Sequence, residues 1–320
     1  MLLVAALAAF AQAAAQPDLP ALLSRVSEEA EMLQQNVPRA LTQEVLEQRA
    51  WMPATRFRPH VGKKAAPEVQ PTRLVVRQIV SEYSVGSVKD SVLPTLTELR
   101  QVISVDGRKV QSAERARHAL SLGITSPDDR VRKRMLEDFA RHGLVDIATD
   151  YGIILLAFSK RGLANMNVTL AGEERVGADA AWVLQWRQTS PDGGMLEFLG
   201  NQASRLPLQG KLLVRKSDGL PLRVQSWSEH SQDATYVLLQ TWSGHPQATQ
   251  KVRDEATIDY VQSPHGFLTP ASVVHRHLVD GQVVTENLYR YQPFKLFSAD
   301  TEIKFTELES PAPPAPVPNQ

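Results

Sequence analysis

Between Thr72 and Thr306 the chain is a succession of short β-branched and aromatic runs separated by turn signals, and this constrains the fold more than any other feature. Asp218-Gly219 and Asp280-Gly281 sit between pairs of runs as tight hairpin turns, Asp106-Gly107 follows another run, and Asp192-Gly193-Gly194 offers a looser turn. Connections this short join antiparallel neighbours, because a parallel crossover needs a dozen or more residues. The expected strands are Leu74–Tyr83, Leu96–Val105, Ile153–Phe158, Asn167–Leu170, Ala181–Thr189, Met195–Leu199, Lys211–Lys216, Leu220–Ser226, Thr235–Trp242, Glu255–Val261, Ala271–Val279, Gln282–Gln292 and Glu302–Thr306.

Alternation within these runs shows what the sheet faces. Trp182, Leu184 and Trp186 fall on one side, with Val183, Gln185 and Arg187 on the other. Ala256, Ile258 and Tyr260 likewise oppose Glu255, Thr257 and Asp259. An apolar face must be covered, and the cover available is helical. From Pro20 to Ala50, Leu22, Leu23, Val26, Leu33, Val37, Leu41, Val45 and Leu46 recur at helical spacing, which predicts two helices broken near Pro38. A second helical stretch starts at Ser126, with Pro127 in the first turn, Asp128 and Asp129 against the helix dipole, and Val131, Met135 and Phe139 on one face. Its Arg130, Arg132, Lys133 and Arg134 read as a solvated face. The economical solution is a mainly β (α+β) protein in which one large antiparallel sheet of about 11 strands wraps partly around helices.

The expected organisation is a signal segment at 1–16, a helical section at 17–51, a linker at 52–71, and a β domain at 72–307 with a helical insert at 112–144. A proline-rich tail follows at 308–320. Leu2 to Phe10 is apolar and is followed by Ala13-Ala14-Ala15 before Gln16-Pro17-Asp18, the pattern of an export signal, although no positive charge precedes it. A periplasmic or secreted location is expected, with no transmembrane span.

Composition narrows the chemistry. Thirty-five Lys and Arg balance 35 Asp and Glu, so there is no general electrostatic footprint for nucleic acid. No cysteine is present, which removes disulfides, thiolate catalysis and Cys-ligated metals. No G-x-S-x-G, H-E-x-x-H, P-loop or G-x-G-x-x-G motif occurs. His275 and His277 would project from one strand face, with His265 nearby and Asp259 or Glu286 as a supporting carboxylate, but two strand histidines are a weak metal signal. Glu255, Asp259 and Glu286 could pair as acid and base, but alternation already explains them as exposed strand positions. The expectation is a protein that is not an enzyme and uses neither cofactor nor metal.

Three stretches carry a family resemblance: Gly210-Lys-Leu-Leu-Val-Arg-Lys-Ser-Asp-Gly-Leu-Pro-Leu-Arg-Val224, Glu255-Ala-Thr-Ile-Asp-Tyr260, and Phe267-Leu-Thr-Pro270 leading through Asp280-Gly281 to Glu286-Asn-Leu-Tyr-Arg-Tyr291 and Phe294. Over roughly Arg205 to Glu307 the chain resembles periplasmic proteins with the LolA-like fold, the outer-membrane lipoprotein-sorting proteins. The resemblance implies an unclosed β-barrel with helices on its concave side and an apolar cavity for a lipid or lipid-modified peptide. On this reading Trp182, Leu184, Trp186, Leu222, Val224, Ile258 and Tyr260 face the ligand. The alternatives are an envelope interaction protein with a filled core, which would bind another envelope protein, and an envelope hydrolase.

Overall fold

The computed structural model describes residues 17–53, 72–89, 94–125, 130–147, 149–189, 195–199, 202–233 and 249–296. The expected signal segment, most of the linker, the helix start at Ser126, the turn at Asp192-Gly193-Gly194, the strands Thr235–Trp242 and Glu302–Thr306 and the proline-rich tail lie outside these residues.

The first element is the helix α1 (Leu19–Asn36), with a proline in its first turn and Val26, Ala30 and Leu33 buried at spacings of four and three. Pro38 cannot continue a helix, and the chain passes through one 3-10 turn, Val37–Arg39, into strand β1 (Ala40–Pro53). The second expected helix is therefore a strand, and the boundaries at 51 and 52 fall inside it. Leu41 and Val45, four apart, imitate a helical face. The row that is buried is Ala40, Thr42, Glu44, Leu46, Gln48 and Ala50, a two-residue period hidden by its polar members.

Strands β2 (Thr72–Lys89), β3 (Pro94–Val105) and β4 (Arg108–Lys109) follow by antiparallel pairing, with Asp106 and Gly107 both at positive φ in the β3–β4 turn. Two helices come next, α2 (Ala113–Thr125) against β2 and β3 and α3 (Arg130–Arg141) against β3. Arg117 of α2 pairs with Glu82 at 3.3 Å, and Glu82 alternates with the core residue Tyr83, so α2 lies on the outer face. Met135 and Phe139 of α3 instead join the main core on the inner face.

The segment expected as strand Ile153–Phe158 is a 3-10 turn, Ile154–Phe158, followed by the four-residue helix α4 (Lys160–Leu163). Ile153, Ile154, Leu155 and Phe158 are all buried, and a short run that is apolar on every side carries no period to separate strand from helix. The remaining strands are β5 (Met166–Val176), β6 (Asp179–Gln188), β7 (Met195–Leu199), β8 (Gln202–Leu206), β9 (Gln209–Arg215), β10 (Pro221–Asp233), β11 (Thr249–Gln262), β12 (Leu268–Val279), β13 (Gln282–Tyr291) and β14 (Lys295–Leu296). Asp280 and Gly281, both at positive φ, form the two-residue β12–β13 turn that the sequence signals.

Twelve strands form one antiparallel sheet in the order β4-β3-β2-β1-β13-β12-β11-β10-β9-β6-β5, with β14 also paired to β1. Strands β7 and β8 pair separately. The large sheet does not close, and its two edges are β4 and β5. This is the mainly β, unclosed half-barrel architecture. Its concave face packs on α1, α3 and the 3-10 turn to form the main core. A small second cluster of Ala181, Val183 and Leu213 lies on the other side of β6 and β9.

Candidate functional site

The concave face is an apolar wall. Leu184 and Trp186 of β6, Leu212 and Val214 of β9, Val224 of β10, Ile258 and Tyr260 of β11 and Val273 of β12 belong to one buried cluster. Five of the seven sequence-selected residues, Leu184, Trp186, Val224, Ile258 and Tyr260, are thereby brought together. Leu222 is not with them and packs against the second cluster. The register slips between Pro221 and Arg223, and this bulge turns Leu222 away from the face that Val224 occupies. Trp182 is partly exposed and lies outside both clusters, with Lys216 Nζ 3.9 Å from its ring centroid.

The wall is covered by the chain itself. Phe158 meets Trp186 edge to face with ring centroids 5.4 Å apart. The Tyr260 hydroxyl donates to the Gly152 carbonyl at 3.1 Å and accepts from the Leu155 N–H at 3.2 Å, pinning the segment that leads into the 3-10 turn. Gly152 has no room for a side chain, since a Cβ would lie 2.5 Å from Glu98 Oε1 and 3.3 Å from the hydroxyls of Tyr83 and Tyr291. Gly152→Ala is expected to cost about 1–3 kcal/mol through overpacking, read as a lower urea midpoint with an unchanged m-value.

That glycine rests on a buried ion cluster which sequence reasoning missed. Arg100 of β3 donates from Nε to both oxygens of Glu44 of β1, at 2.7 and 3.0 Å, and from Nη2 to Glu98 Oε2 at 2.8 Å. All three side chains are about 1% exposed, which makes every lost contact count. Glu98 also accepts from the Tyr83 hydroxyl and from the N–H groups of Asp150 and Gly152, at 2.7 to 2.9 Å. The rings of Tyr83 and Tyr289 stand 5.1 and 5.3 Å from the guanidinium. Burial alone would make Arg100 easier to deprotonate, but the charges of Glu44 and Glu98 outweigh it and hold the guanidinium firmly protonated. Burial raises the Glu44 carboxyl above its ordinary range, against the pull of Arg100. The available signal was the Glu98-x-Arg100 spacing, which puts opposite charges on one strand face.

A second polar network holds the same segment further upstream. Gln48 of β1 donates to the Val145 carbonyl at 2.6 Å and accepts from the Val145 N–H at 3.0 Å, which fixes the orientation of its amide. Its other N–H donates to Asn287 Oδ1 at 2.6 Å, so the Asn287 amide nitrogen must face the Asp146 carbonyl at 2.8 Å and His275 Nδ1 at 3.2 Å. His275 Nδ1 is therefore the bare acceptor, and the ring proton sits on Nε2, donating to Asp254 Oδ1 at 2.9 Å. His277 Nδ1 reaches the same oxygen at 3.0 Å, and Tyr151 stacks on the His275 ring at 5.1 Å. The histidine pair thus shares Asp254 rather than Asp259 or Glu286, and His265 is exposed in a loop. Among the described residues no group of three or more His, Cys, Asp or Glu is placed to hold a metal. Asp259 pairs with Arg223 at 2.6 Å, Glu286 with Arg276 at 2.7 Å and Glu255 with Arg253 at 2.6 Å, as surface ion pairs.

No family profile matches the chain, and no curated protein does. Solved structures do. One is a DUF1329 family protein from Desulfovibrio piger, with 10% identity and TM-score 0.36 over 91% of this chain and 98% of that one. A second is a LolA superfamily protein from Nitrosomonas europaea, with 10% identity and TM-score 0.28 over 87% and 93%. A third is an outer membrane lipoprotein-sorting protein domain from Vibrio parahaemolyticus, with 10% identity and TM-score 0.31 over 88% and 97%. The chain is similar to proteins of the LolA superfamily.

The Asp254 network carries a pH prediction for the sheet. Burial alone would raise the Asp254 carboxyl, but hydrogen bonds from His275 and His277 outweigh it and hold the group well below the usual carboxylate range. Its stabilising contribution is therefore complete above the ordinary aspartate value of about 4 and is lost as pH falls toward the lower folded value. Urea midpoints measured from about pH 6 to about pH 3 should fall for the parent chain and fall less steeply for Asp254→Asn.

Proposed function

We propose that this chain is an exported, noncatalytic binding protein that holds the acyl chain of a lipid or lipid-modified peptide against its concave wall. The observation that carries this reading is the construction of the cover. An apolar face running from β6 to β12 is closed by α1 and the turn Ile154–Phe158, pieces of chain that are not themselves paired strands of the sheet. Each methylene transferred onto such a wall contributes about 0.8 kcal/mol, so one acyl chain could replace the contacts that Leu155 and Phe158 make. The buried positions Leu184, Trp186, Val224, Ile258 and Tyr260 are the ligand-facing residues on this account, while Trp182 and Leu222 are not.

The test is mass spectrometry of the protein purified gently from its native envelope fraction, before and after organic extraction, with uptake of added dodecanoic acid followed by intrinsic fluorescence. A stoichiometric lipid, and a fluorescence change that disappears in Trp186→Phe, are expected. A clean mass and no uptake would favour a second reading, an envelope interaction protein with a permanently filled core. The polar pins on Asp150, Gly152 and Leu155 are the observation that speaks for it.

A further inference from the structure

On β6 and β10 the concave wall holds Trp186 Nε1 and Ser226 Oγ, which are among the buried polar atoms with no hydrogen-bond partner among the described residues. Both residues are about 1% exposed, so bulk solvent does not reach them. They belong to one row across the sheet, in which Trp186 stands opposite Gly210 of β9 and Gly210 opposite Ser226 of β10. Ser226 lies two residues beyond the core residue Val224 on the same strand and so shares its inward face. Gly210 places no side chain between the two, and a Cβ there would lie 1.9 Å from the Gln225 carbonyl oxygen. The row continues through Ala256 to His275 and Asn287, whose side-chain polar groups are bonded. The orphan pair stands where this polar row enters the apolar wall.

An indole N–H only donates, and a hydroxyl donates or accepts. Two donors on a hydrocarbon surface suit a ligand that is apolar except for one acceptor with two lone pairs. We infer that Trp186 and Ser226 anchor the carbonyl oxygen of an acyl ester or amide, so that the wall selects acyl derivatives over alkyl chains lacking a carbonyl. The inference rests on the apolar-ligand reading above and adds the ligand's functional group to it. Phe158 packs on Trp186, so withdrawal of the Ile154–Phe158 turn is the movement that uncovers the indole.

The experiment is calorimetric titration of the full chain with methyl dodecanoate and with dodecyl methyl ether, which differ at the carbonyl. The parent chain should bind the ester about tenfold more tightly. Trp186→Phe trims apolar contact for both ligands alike and removes the N–H, so it should bring the ester-to-ether affinity ratio close to one. Ser226→Ala, which removes a single oxygen, repeats the test with minimal risk to folding. Equal binding of ester and ether by the parent chain, or a preference that survives in both variants, would overturn the anchor while leaving the apolar-ligand reading intact. Binding of neither compound would overturn both.

Discussion

Replacing Arg100 by methionine is expected to destabilise the fold by about 3–5 kcal/mol, the cost of leaving buried carboxylates without their counter-charge. Glu44 would lose both of its bonds to the guanidinium, and Glu98 would keep its bonds to Tyr83, Asp150 and Gly152 while losing the cation beside it. The loss should depend on pH. Without Arg100 the burial that already raises Glu44 loses its main opponent, so the folded carboxyl binds its proton more tightly than the unfolded one. The variant should recover stability as pH falls through that raised value and be weakest at neutral pH. Adding Glu44→Gln and Glu98→Gln to Arg100→Met removes the stranded charges and should restore a large part of the loss. Urea unfolding followed by circular dichroism measures all of this. A loss under about 1 kcal/mol for the single variant would mean that the cluster relaxes or hydrates on losing its cation.

Gln48→Leu is expected to cost about 2–4 kcal/mol, because it strands several groups at once. The Val145 N–H and carbonyl lose their partner, and Asn287 Oδ1 loses its donor. With Asn287 no longer held in one orientation, its contact to His275 Nδ1 is weakened as well. The effect should therefore spread from β1 to β12, and Gln48→Leu combined with His275→Phe should cost less than the sum of the two changes. Strict additivity in such a double-mutant cycle would show that the network is not continuous.

The sheet was legible where its strands alternate and its turns carry Asp-Gly. Trp182 to Trp186, Ala256 to Tyr260 and the Asp280-Gly281 hairpin needed nothing beyond local pattern. Strand β1 was not legible, because its buried row contains Thr42, Glu44 and Gln48, residues that binary patterning assigns to solvent. These three are inside because partners arrive from elsewhere in the chain: Gln292 for Thr42, Arg100 for Glu44, Val145 and Asn287 for Gln48. Such pairing is invisible to any local window. Part of the apolar wall was readable from alternation together with the family resemblance, and Leu222 was misplaced because a bulge changes the face without leaving a strong sequence mark. The cover was the least readable part. Ile153 to Phe158 looks like a strand because it is apolar throughout, and it is apolar throughout because it lies between the sheet and α1.

The central claim is that the 150–158 segment occupies the place of a ligand. Hydrogen exchange of the full chain, followed with and without dodecanoic acid, tests it most directly. The N–H groups of Asp150, Gly152 and Leu155 are held by Glu98 and Tyr260. On this account they should exchange faster once ligand is bound, while the amides shared by β11 and β12 stay protected. Ligand binding that leaves the three amides unchanged or better protected would contradict the claim, because the segment would then be a fixed part of the core.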